Sequence, residues 1–215
     1  MDSKYRICGV ILSAGASSRM GRDKALLPWP PASPDSAVST QTLLSSAIAA
    51  LKPFAEAIIV VAGNNADNIA PVVIGNGALL ARNPAPERGQ FSSLQVGLRE
   101  VLARGCDAAM ITLVDCPPLS APSMEELNVA FDQALALGKW GVAPEHKGKR
   151  GHPLLAGRPL IDAFLAAPIT GNAREVKHAH AQLIESVLVP DALLRVDLNT
   201  PEEYAALSAP ISKPR

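Results

Sequence analysis

The chain has 215 residues, enough for one α/β unit with a substantial core. Its hydrophobic content of 48%, with few aromatic residues, argues against a disordered or fibrous chain. Lys plus Arg and Asp plus Glu balance at 20 each, so nothing in the charge indicates binding to nucleic acid or to an anionic membrane. We expect a single domain over residues 1–215 that acts on small ligands.

Apolar runs rich in β-branched residues predict strands that are buried on both faces of a parallel sheet. In chain order they are 7–12, 57–62, a weaker run at 78–81, 108–114 and 186–189. Helical spacing of apolar residues between them predicts helices over 42–51, 92–102, 123–137 and 159–165. This alternation predicts a three-layer α/β/α fold, Rossmann-like, with a doubly wound and mostly parallel sheet.

Local signals predict where some of these elements begin. Ser123 precedes Glu126 by three residues, the spacing of a capping box, and Thr200 followed by Pro201 is typical of a helix N-cap and first turn. The segment 28–40 is dense in proline and serine, which predicts a flexible surface loop.

The cysteine content and the N-terminus bear on location. Cys8, Cys106 and Cys116 are an odd number without C-x-x-C spacing, which argues against a disulfide framework and against a zinc site. The apolar run before Ser13 is only about seven residues long, too short for a signal peptide or a membrane span. We therefore expect a protein of the reducing cytoplasm.

The first predicted strand runs directly into residues 12–24, which we call the phosphate loop. Gly15 and Gly21 allow tight turns whose N–H groups can face phosphate oxygens, while Arg19 and Lys24 supply positive charge. The loop has neither the Walker A order nor the G-x-G-x-x-G order of dinucleotide-binding folds. The alternative interpretation is a Gly/Ser turn with solvated charges.

Two acids follow apolar segments and are candidate metal ligands. Asp115 ends the most hydrophobic strand, where a carboxylate is costly unless it meets a cation, and Asp197 is a candidate second oxygen ligand for Mg²⁺. The alternative is that Asp115 caps the turn made by Pro117 and Pro118, and that Asp197 caps a helix or turn.

Histidines and the remaining cysteine carry weaker signals. His152, between Gly151 and Pro153, could donate to an acceptor substrate as a neutral imidazole, although a purely structural role is equally open. Cys116 has no evident base partner and is expected to be a small packing residue. The other histidines are expected at the surface: His146, His178 and His180.

Taken together, these motifs resemble the molybdenum-cofactor nucleotidyltransferases, the group that contains molybdopterin cytidylyltransferase and molybdopterin-guanine dinucleotide synthase. The phosphate loop is similar to the signature L-A-[AG]-G-x-S-x-R-M-G-x-x-K, with Ser13 in place of the usual alanine. The similarity continues at 83–84, 89–97, 113–117, 151–153, 171–174 and 197–203. It implies a nucleotide-diphospho-sugar transferase-like fold. The segment 28–40 departs from it, since relatives have a short turn there.

The resemblance also implies roles for individual residues. It makes Arg19, Lys24 and Asp115 catalytic, with Arg19 and Lys24 on the triphosphate, and it makes Asp115 and Asp197 ligands of Mg²⁺, with Mn²⁺ as a possible substitute. It places the nucleotide against Leu12, Ala14, Gly15, Ala62, Gly63, Ser92 and Ser93, and the acceptor against His152 and Arg174.

The expected reaction is transfer of a nucleotidyl group from an NTP to a phosphorylated acceptor, with release of pyrophosphate. Ala14, Gly151-His152-Pro153 and the Gly-x-Ala-Arg element at 171–174 resemble the cytidylyl branch, which implies CTP and molybdopterin, with possible hand-over to a molybdoenzyme. One alternative keeps the chemistry but uses GTP, or a sugar-1-phosphate, polyol phosphate or cobamide precursor as acceptor. Another is a non-catalytic CTP-binding chaperone or regulator of a molybdoenzyme.

Overall fold

The computed structural model describes residues 5–15, 20–31 and 39–207, and within these residues eight strands form one sheet. The strands are β1 (Ile7–Ser13), β2 (Ala57–Ala62), β3 (Leu79–Arg82), β4 (Ala108–Leu113), β5 (Gly141–His146), β6 (Lys149–Arg150), β7 (Leu154–Gly157) and β8 (Ile184–Leu188). Their order across the sheet is β3-β2-β1-β4-β7-β5-β6, and β8 pairs with β5.

The four strands β3, β2, β1 and β4 at one end of the sheet are parallel, and the rest of the sheet is mixed. Pairings of β1 with β2 and β4, of β2 with β3 and of β5 with β8 are parallel. Strand β7 runs antiparallel between β4 and β5, and β6 is antiparallel to β5. The predicted fold class, a three-layer α/β/α fold with a mostly parallel sheet, is confirmed. The expectation of one domain over 1–215 stays a prediction.

Helices cover both faces of the sheet. They are α1 (Leu43–Leu51), α2 (Ala66–Gly75), α3 (Gln90–Ala103), α4 (Ala121–Ala136), α5 (Arg158–Ala166), α6 (Ala173–Ala179) and α7 (Pro201–Ala206). Successive strand residues point to opposite faces, so Ile7 and Ile11 of β1 pack with α1, α2 and α4, whereas Cys8 and Val10 pack with α3 and α5. Two apolar layers therefore sandwich the sheet.

The strand and helix starts agree with the sequence signals except in a few places. Thr200 caps α7 in a capping box with Glu203, as predicted. The predicted start at Ser123 is wrong, because α4 begins at Ala121 after Ser120, and the Ser120 and Ser123 hydroxyls bond each other. Strands β5 to β7 and helices α2 and α6 were absent from the prediction.

A disulfide between Cys8 and Cys106 corrects the expectation drawn from the cysteine count. The two residues are 98 apart in sequence, so their spacing carried no signal. They meet because β1 and β4 are parallel with Ile7 opposite Ala108, which brings Cys106, two residues before β4, beside β1, with a Cα–Cα distance of 6.2 Å. Cys116 remains free.

The base of the predicted 28–40 loop is paired. Pro28 and Thr42 form an antiparallel bridge, and Trp29 N–H donates to the Gln41 carbonyl at 2.8 Å. The predicted flexibility concerns mainly residues 32–38, which lie outside the described residues. In the part of the chain that is described, no helix combines the length and the apolar character needed to cross a membrane.

Candidate active site

A cleft of about 780 Å³ lies at the carboxyl ends of β1 and β2, where ligands collect in open α/β sheets. Its walls come from the phosphate loop, the turn after β2 and the start of α3. The lining residues are Leu12, Ala14, Gly15, Gly21, Arg22, Asp23, Asn64, Asn65, Asn68, Pro86, Glu87, Gly89, Gln90 and Ser93. The cleft thus brings together Leu12, Ala14, Gly15 and Ser93 of the predicted nucleotide residues. Arg19 lies outside the described residues.

The turn after β2 approaches the phosphate loop closely at Gly63. A side chain there would put its Cβ 2.9 Å from the Ala14 carbonyl oxygen and 2.9 Å from the Cβ of Pro86. Ala62, the last residue of β2, is fully buried and pairs with Ser13. Ala62 and Gly63 therefore fix the backbone beside the cleft rather than line it with side chains.

The two predicted serines differ in their surroundings. Asn83, which follows β3, donates through Nδ2 to Ser92 Oγ at 2.8 Å and to Ser93 Oγ at 2.9 Å. Ser92 Oγ in turn donates to the Gly89 carbonyl at 2.7 Å. Ser92 is thus committed to the start of α3, while Ser93 borders the cleft.

Lys24 connects three separate segments at the same end of the sheet. Its Nζ lies 3.2 Å from Asp115 Oδ2 and 3.1 Å from Asn199 Oδ1. The Lys24 side chain is only 11% exposed and that of Asp115 is 27% exposed, so solvent screens this pair less than a surface pair. A phosphate that approaches Lys24 would compete with Asp115 for the ammonium.

The segment with Asp197 and Asn199 is held against the phosphate loop by a small apolar cluster. Leu198 is fully buried with Met20, Leu27 and Leu43. Its N–H donates to the Asp115 carbonyl at 2.9 Å. Because Leu198 points inward, its neighbours Asp197 and Asn199 stand beside Asp115 and Lys24.

The two predicted metal ligands, Asp115 and Asp197, lie on adjacent segments. Asp197 is exposed, and its Oδ1 accepts from the Cys116 thiol at 3.4 Å. Burial, together with the charges of Asp115 and Asp197, raises the pKa of Cys116, so the thiol stays protonated and is no nucleophile. Among described residues no three His, Cys, Asp or Glu groups cluster as a complete metal site. Two carboxylates suit Mg²⁺, which takes one or two carboxylates and completes its shell with phosphates and water.

His152 is half-buried beside this site, and one of its ring nitrogens is already engaged. Its Nδ1 lies 3.2 Å from the Ile111 carbonyl oxygen. A carbonyl only accepts, so Nδ1 carries the proton and Nε2 of the neutral ring is an acceptor. Burial lowers the pKa of His152, and the charge of Lys177 lowers it further. In contrast to the expectation, neutral His152 has no donor left for an acceptor substrate, only the lone pair of Nε2.

Three cations gather at α6 and β6. Burial lowers the pKa of half-buried Lys177, and the charges of Arg150 and Arg174 lower it further. Arg150 donates to Ser186 Oγ at 2.6 Å, and none of the three cations forms an ion pair with a described carboxylate. Clustered like charges without a partner are stabilised by an anion.

The family follows from a model that matches residues 9–184, the MobA-like NTP transferase domain. The chain belongs to the MobA-like NTP transferase family. The resemblance to molybdenum-cofactor nucleotidyltransferases is thereby confirmed, and with it the classification as a nucleotidyltransferase.

Relatives within this family include enzymes named for different nucleotides. The chain is similar to the molybdenum cofactor cytidylyltransferase of Escherichia coli K12, with 25% identity over 91% of this chain and 92% of that protein. It is also 30% identical to the molybdenum cofactor guanylyltransferase of Rhodobacter capsulatus, over 93% of this chain and 94% of that one.

Solved structures share the MobA-like fold. Rv0371c from Mycobacterium tuberculosis H37Rv aligns with a TM-score of 0.72 at 19% identity, covering 94% of this chain and 98% of that one. A crystal structure of Rv0371C in complex with manganese aligns with a TM-score of 0.65, also at 19% identity and over 94% and 97% of the two chains.

Some residues of this MobA-like site had no predicted role. Asn199 lies inside a segment already singled out for Asp197. Asn65 lies in the turn after β2, three residues beyond its last residue, so the rule that ligands meet strand ends could have identified Asn65. Lys177 and Arg150 had no such signal. His146 and His180 also differ from the prediction, since both are half-buried: His146 contacts the Val189 carbonyl and His180 stacks on Trp140.

Proposed function

We propose that this protein transfers a cytidylyl group from CTP to a phosphorylated acceptor of the molybdopterin type, with release of pyrophosphate. The observation that carries the proposal is the contact of Lys24 with both Asp115 and Asn199, next to a cleft bordered by the phosphate loop. A metal-bound triphosphate needs positive charge beside its phosphates and a carboxylate for its metal ion. Lys24 and Asp115 would supply these two groups side by side.

The reaction needs no nucleophilic side chain. A phosphate oxygen of the acceptor forms a bond to the α-phosphorus, and the bond from that phosphorus to the β-phosphate bridging oxygen breaks, so that pyrophosphate leaves with the electron pair. Lys24 and Arg19 neutralise the triphosphate, while the walls of the cleft align it. The protonated Cys116 takes no part in bond formation.

Asp115 and Asp197 would hold the divalent cation. When bound, Mg²⁺ or Mn²⁺ supplies charge neutralisation at the phosphates. The manganese complex of the structurally similar Rv0371C supports a divalent metal without distinguishing the two ions. Lys24 contacts one carboxylate oxygen of Asp115, and the Cys116 thiol donates to one carboxylate oxygen of Asp197. A divalent cation that binds the two acids would displace these contacts.

The acceptor half of the cleft consists, in this proposal, of His152, Arg174, Arg150 and Lys177. Nε2 of His152 can accept a hydrogen bond, and the three cations, which form no ion pair with a described carboxylate, suit an anionic group of the acceptor. Hand-over of the product to a molybdoenzyme and a cytoplasmic location belong to the same proposal. They rest on the chemistry of the acceptor and not on a contact within this chain.

Guanylyl transfer is the second candidate, because the relative from Rhodobacter capsulatus is 30% identical and is named a guanylyltransferase. Support for CTP comes from Ala14 in the cleft wall, where a methyl group stands in place of the glycine usual in the guanylyl branch.

Thermal-shift titration with CTP, GTP, ATP and UTP, each with Mg²⁺, tests the base, since a ligand that binds only the native state raises its stability according to affinity. We expect the largest shift with CTP. A larger shift with GTP would select the second candidate. Pyrophosphate release in a single turnover with molybdopterin would then exclude the binding-only chaperone, and turnover with sugar or polyol phosphates instead would exclude this acceptor.

A further inference from the structure

The side chain of Asn65 borders the nucleotide cleft but is fully engaged with the protein. Its Nδ2 donates to the Ser13 carbonyl at 3.0 Å and to Asp23 Oδ2 at 2.7 Å. Its Oδ1 accepts from Gly63 N–H at 3.2 Å. An asparagine amide has two donor hydrogens, and both are used here. Asn65 therefore cannot donate to a nucleotide without breaking one of these bonds.

Asp23 is the partner that links Asn65 to the reacting end of the cleft. Its Oδ1 accepts from Ala25 N–H at 3.0 Å and so caps the short 3₁₀ turn Lys24–Leu26, while its Oδ2 is held by Asn65. Both carboxylate oxygens are thus fixed. Asp23 also borders the cleft, where a free carboxylate would repel the phosphates of an NTP.

Lys24 directly follows Asp23 in the sequence. Because Asp23 caps the turn, the direction in which Lys24 leaves the backbone depends on the orientation of Asp23. Its Nζ then reaches both Asp115 and Asn199. The chain of contacts runs from the ends of β1 and β2, through Asn65 and Asp23, to Lys24.

We infer that Asn65 is a positioning residue that, through Asp23, holds Lys24 against Asp115 and Asn199 and turns the Asp23 carboxylate away from the triphosphate. This inference rests on the proposed nucleotidyl transfer for its kinetic consequence. Its structural consequence, the placement of Lys24, requires no substrate.

The variant that tests this inference is Asn65→Asp. The new carboxylate keeps the acceptor for Gly63 N–H but loses both donors and faces Asp23 with a like charge. A hydrogen bond to a charged group corresponds to about a 10- to 100-fold effect. We expect kcat/KM to fall by about that factor, because a displaced Lys24 no longer neutralises the triphosphate.

The readout independent of activity is the rate at which an amine-acylating reagent modifies Lys24, mapped by mass spectrometry without nucleotide. Buried Lys24 should react slowly in the natural protein and about tenfold faster in Asn65→Asp. Asn68→Asp is the matched control, because it adds the same charge to the same cleft with no bond to Asp23; its Lys24 should react at the natural rate.

The double variant Asp23→Asn with Asn65→Asp tests whether the bond between positions 23 and 65 is what matters. Its amide at 23 can donate to its carboxylate at 65, so the bond is restored with donor and acceptor exchanged. We expect this double variant to recover slow Lys24 acylation and part of kcat/KM. An Asn65→Asp protein with natural Lys24 reactivity, or a double variant no better than Asn65→Asp, would overturn the inference. If Asn65→Asp does not fold, Asn65→Ala should show the same faster acylation. If Lys24 acylation follows these expectations but the natural protein transfers no nucleotidyl group, only the proposed function is contradicted.

Discussion

The nucleotide half of the cleft, at the ends of β1 and β2, and the acceptor half, near β6, β7 and α6, are built from different kinds of group. The first combines one contiguous stretch, the phosphate loop after a buried parallel strand, with residues that follow β2 and residues at the start of α3. The second depends on side chains from separate segments, Arg150, His152 and Lys177, in the mixed part of the sheet. In the proposed function, the nucleotide half therefore contains one contiguous motif, whereas the acceptor half depends on long-range packing alone.

The largest effect that would test this division is expected for Asp115→Asn, because in the proposed function the metal serves both halves. Loss of the charge should lower Mg²⁺-dependent pyrophosphate release by at least about 10³-fold, while the thermal melting temperature changes little. Glu125→Gln, an exposed change on α4, is the control. An active Asp115→Asn enzyme would remove Asp115 from the metal site.

The next largest effect is expected for Lys24→Ala and should be confined to the nucleotide half. Removing one cation that faces the triphosphate should weaken NTP binding by about 10²-fold, with the ratio of CTP to GTP affinity unchanged. Calorimetric titration with both nucleotides measures the two quantities. An unchanged NTP affinity would contradict a triphosphate contact for Lys24.

Lys177→Met should act on the acceptor half alone. Because it removes one charge-assisted contact, we expect the acceptor KM to rise by about 10-fold while NTP affinity stays the same. Lys139→Met is a suitable control, since Lys139 donates to the Gln182 carbonyl on the exposed side of the same region. A weaker NTP affinity with an unchanged acceptor KM would reverse the assignment of the two halves.

The smallest effect concerns His152 and the pH dependence of stability. Its pKa is lowered by burial from an ordinary 6.5, so the unfolded chain binds a proton more readily, and stability falls as pH drops below 6.5. His152→Asn keeps a donor for the Ile111 carbonyl but does not titrate, and should flatten the fall in melting temperature between about pH 6.5 and 5. The exposed His178→Asn should not, and equal slopes for all three proteins would refute this placement.

The same division explains which features the sequence predicts. Strands β1, β2 and β4 are continuous apolar runs, and the phosphate loop is a contiguous motif, so both are visible in the sequence. Strand β5 contains Pro144, and β7 has only four residues, which directly follow the Gly151-Pro153 turn. Gly141 appears as a break, yet it is a packing requirement, since a Cβ there would lie 2.6 Å from the Leu155 carbonyl oxygen.

Other features depend on the folded chain as a whole. Helix α2 was hidden by Pro71 in its interior, although Ile69 and Val73 bury one helical face four residues apart. Asp115 and Asp197 could be named as acids from the sequence, but their proximity depends on the burial of Leu198. The Cys8–Cys106 bond and the Lys177 cluster join segments whose spacing has no sequence signature.

The contact between Lys24 and Asn199 joins residues 175 positions apart, and that between Lys24 and Asp115 joins residues 91 apart. During synthesis on the ribosome, the phosphate loop therefore emerges long before the segment that completes its surroundings. Contacts between residues so far apart in sequence form late in folding, because the entropy of the intervening chain must be lost before they form. A growing chain would expose a glycine loop, and Lys24 would lack its partner Asn199, until residues 197–199 dock. Catalytic competence should therefore appear only once Leu198 packs with Met20, Leu27 and Leu43.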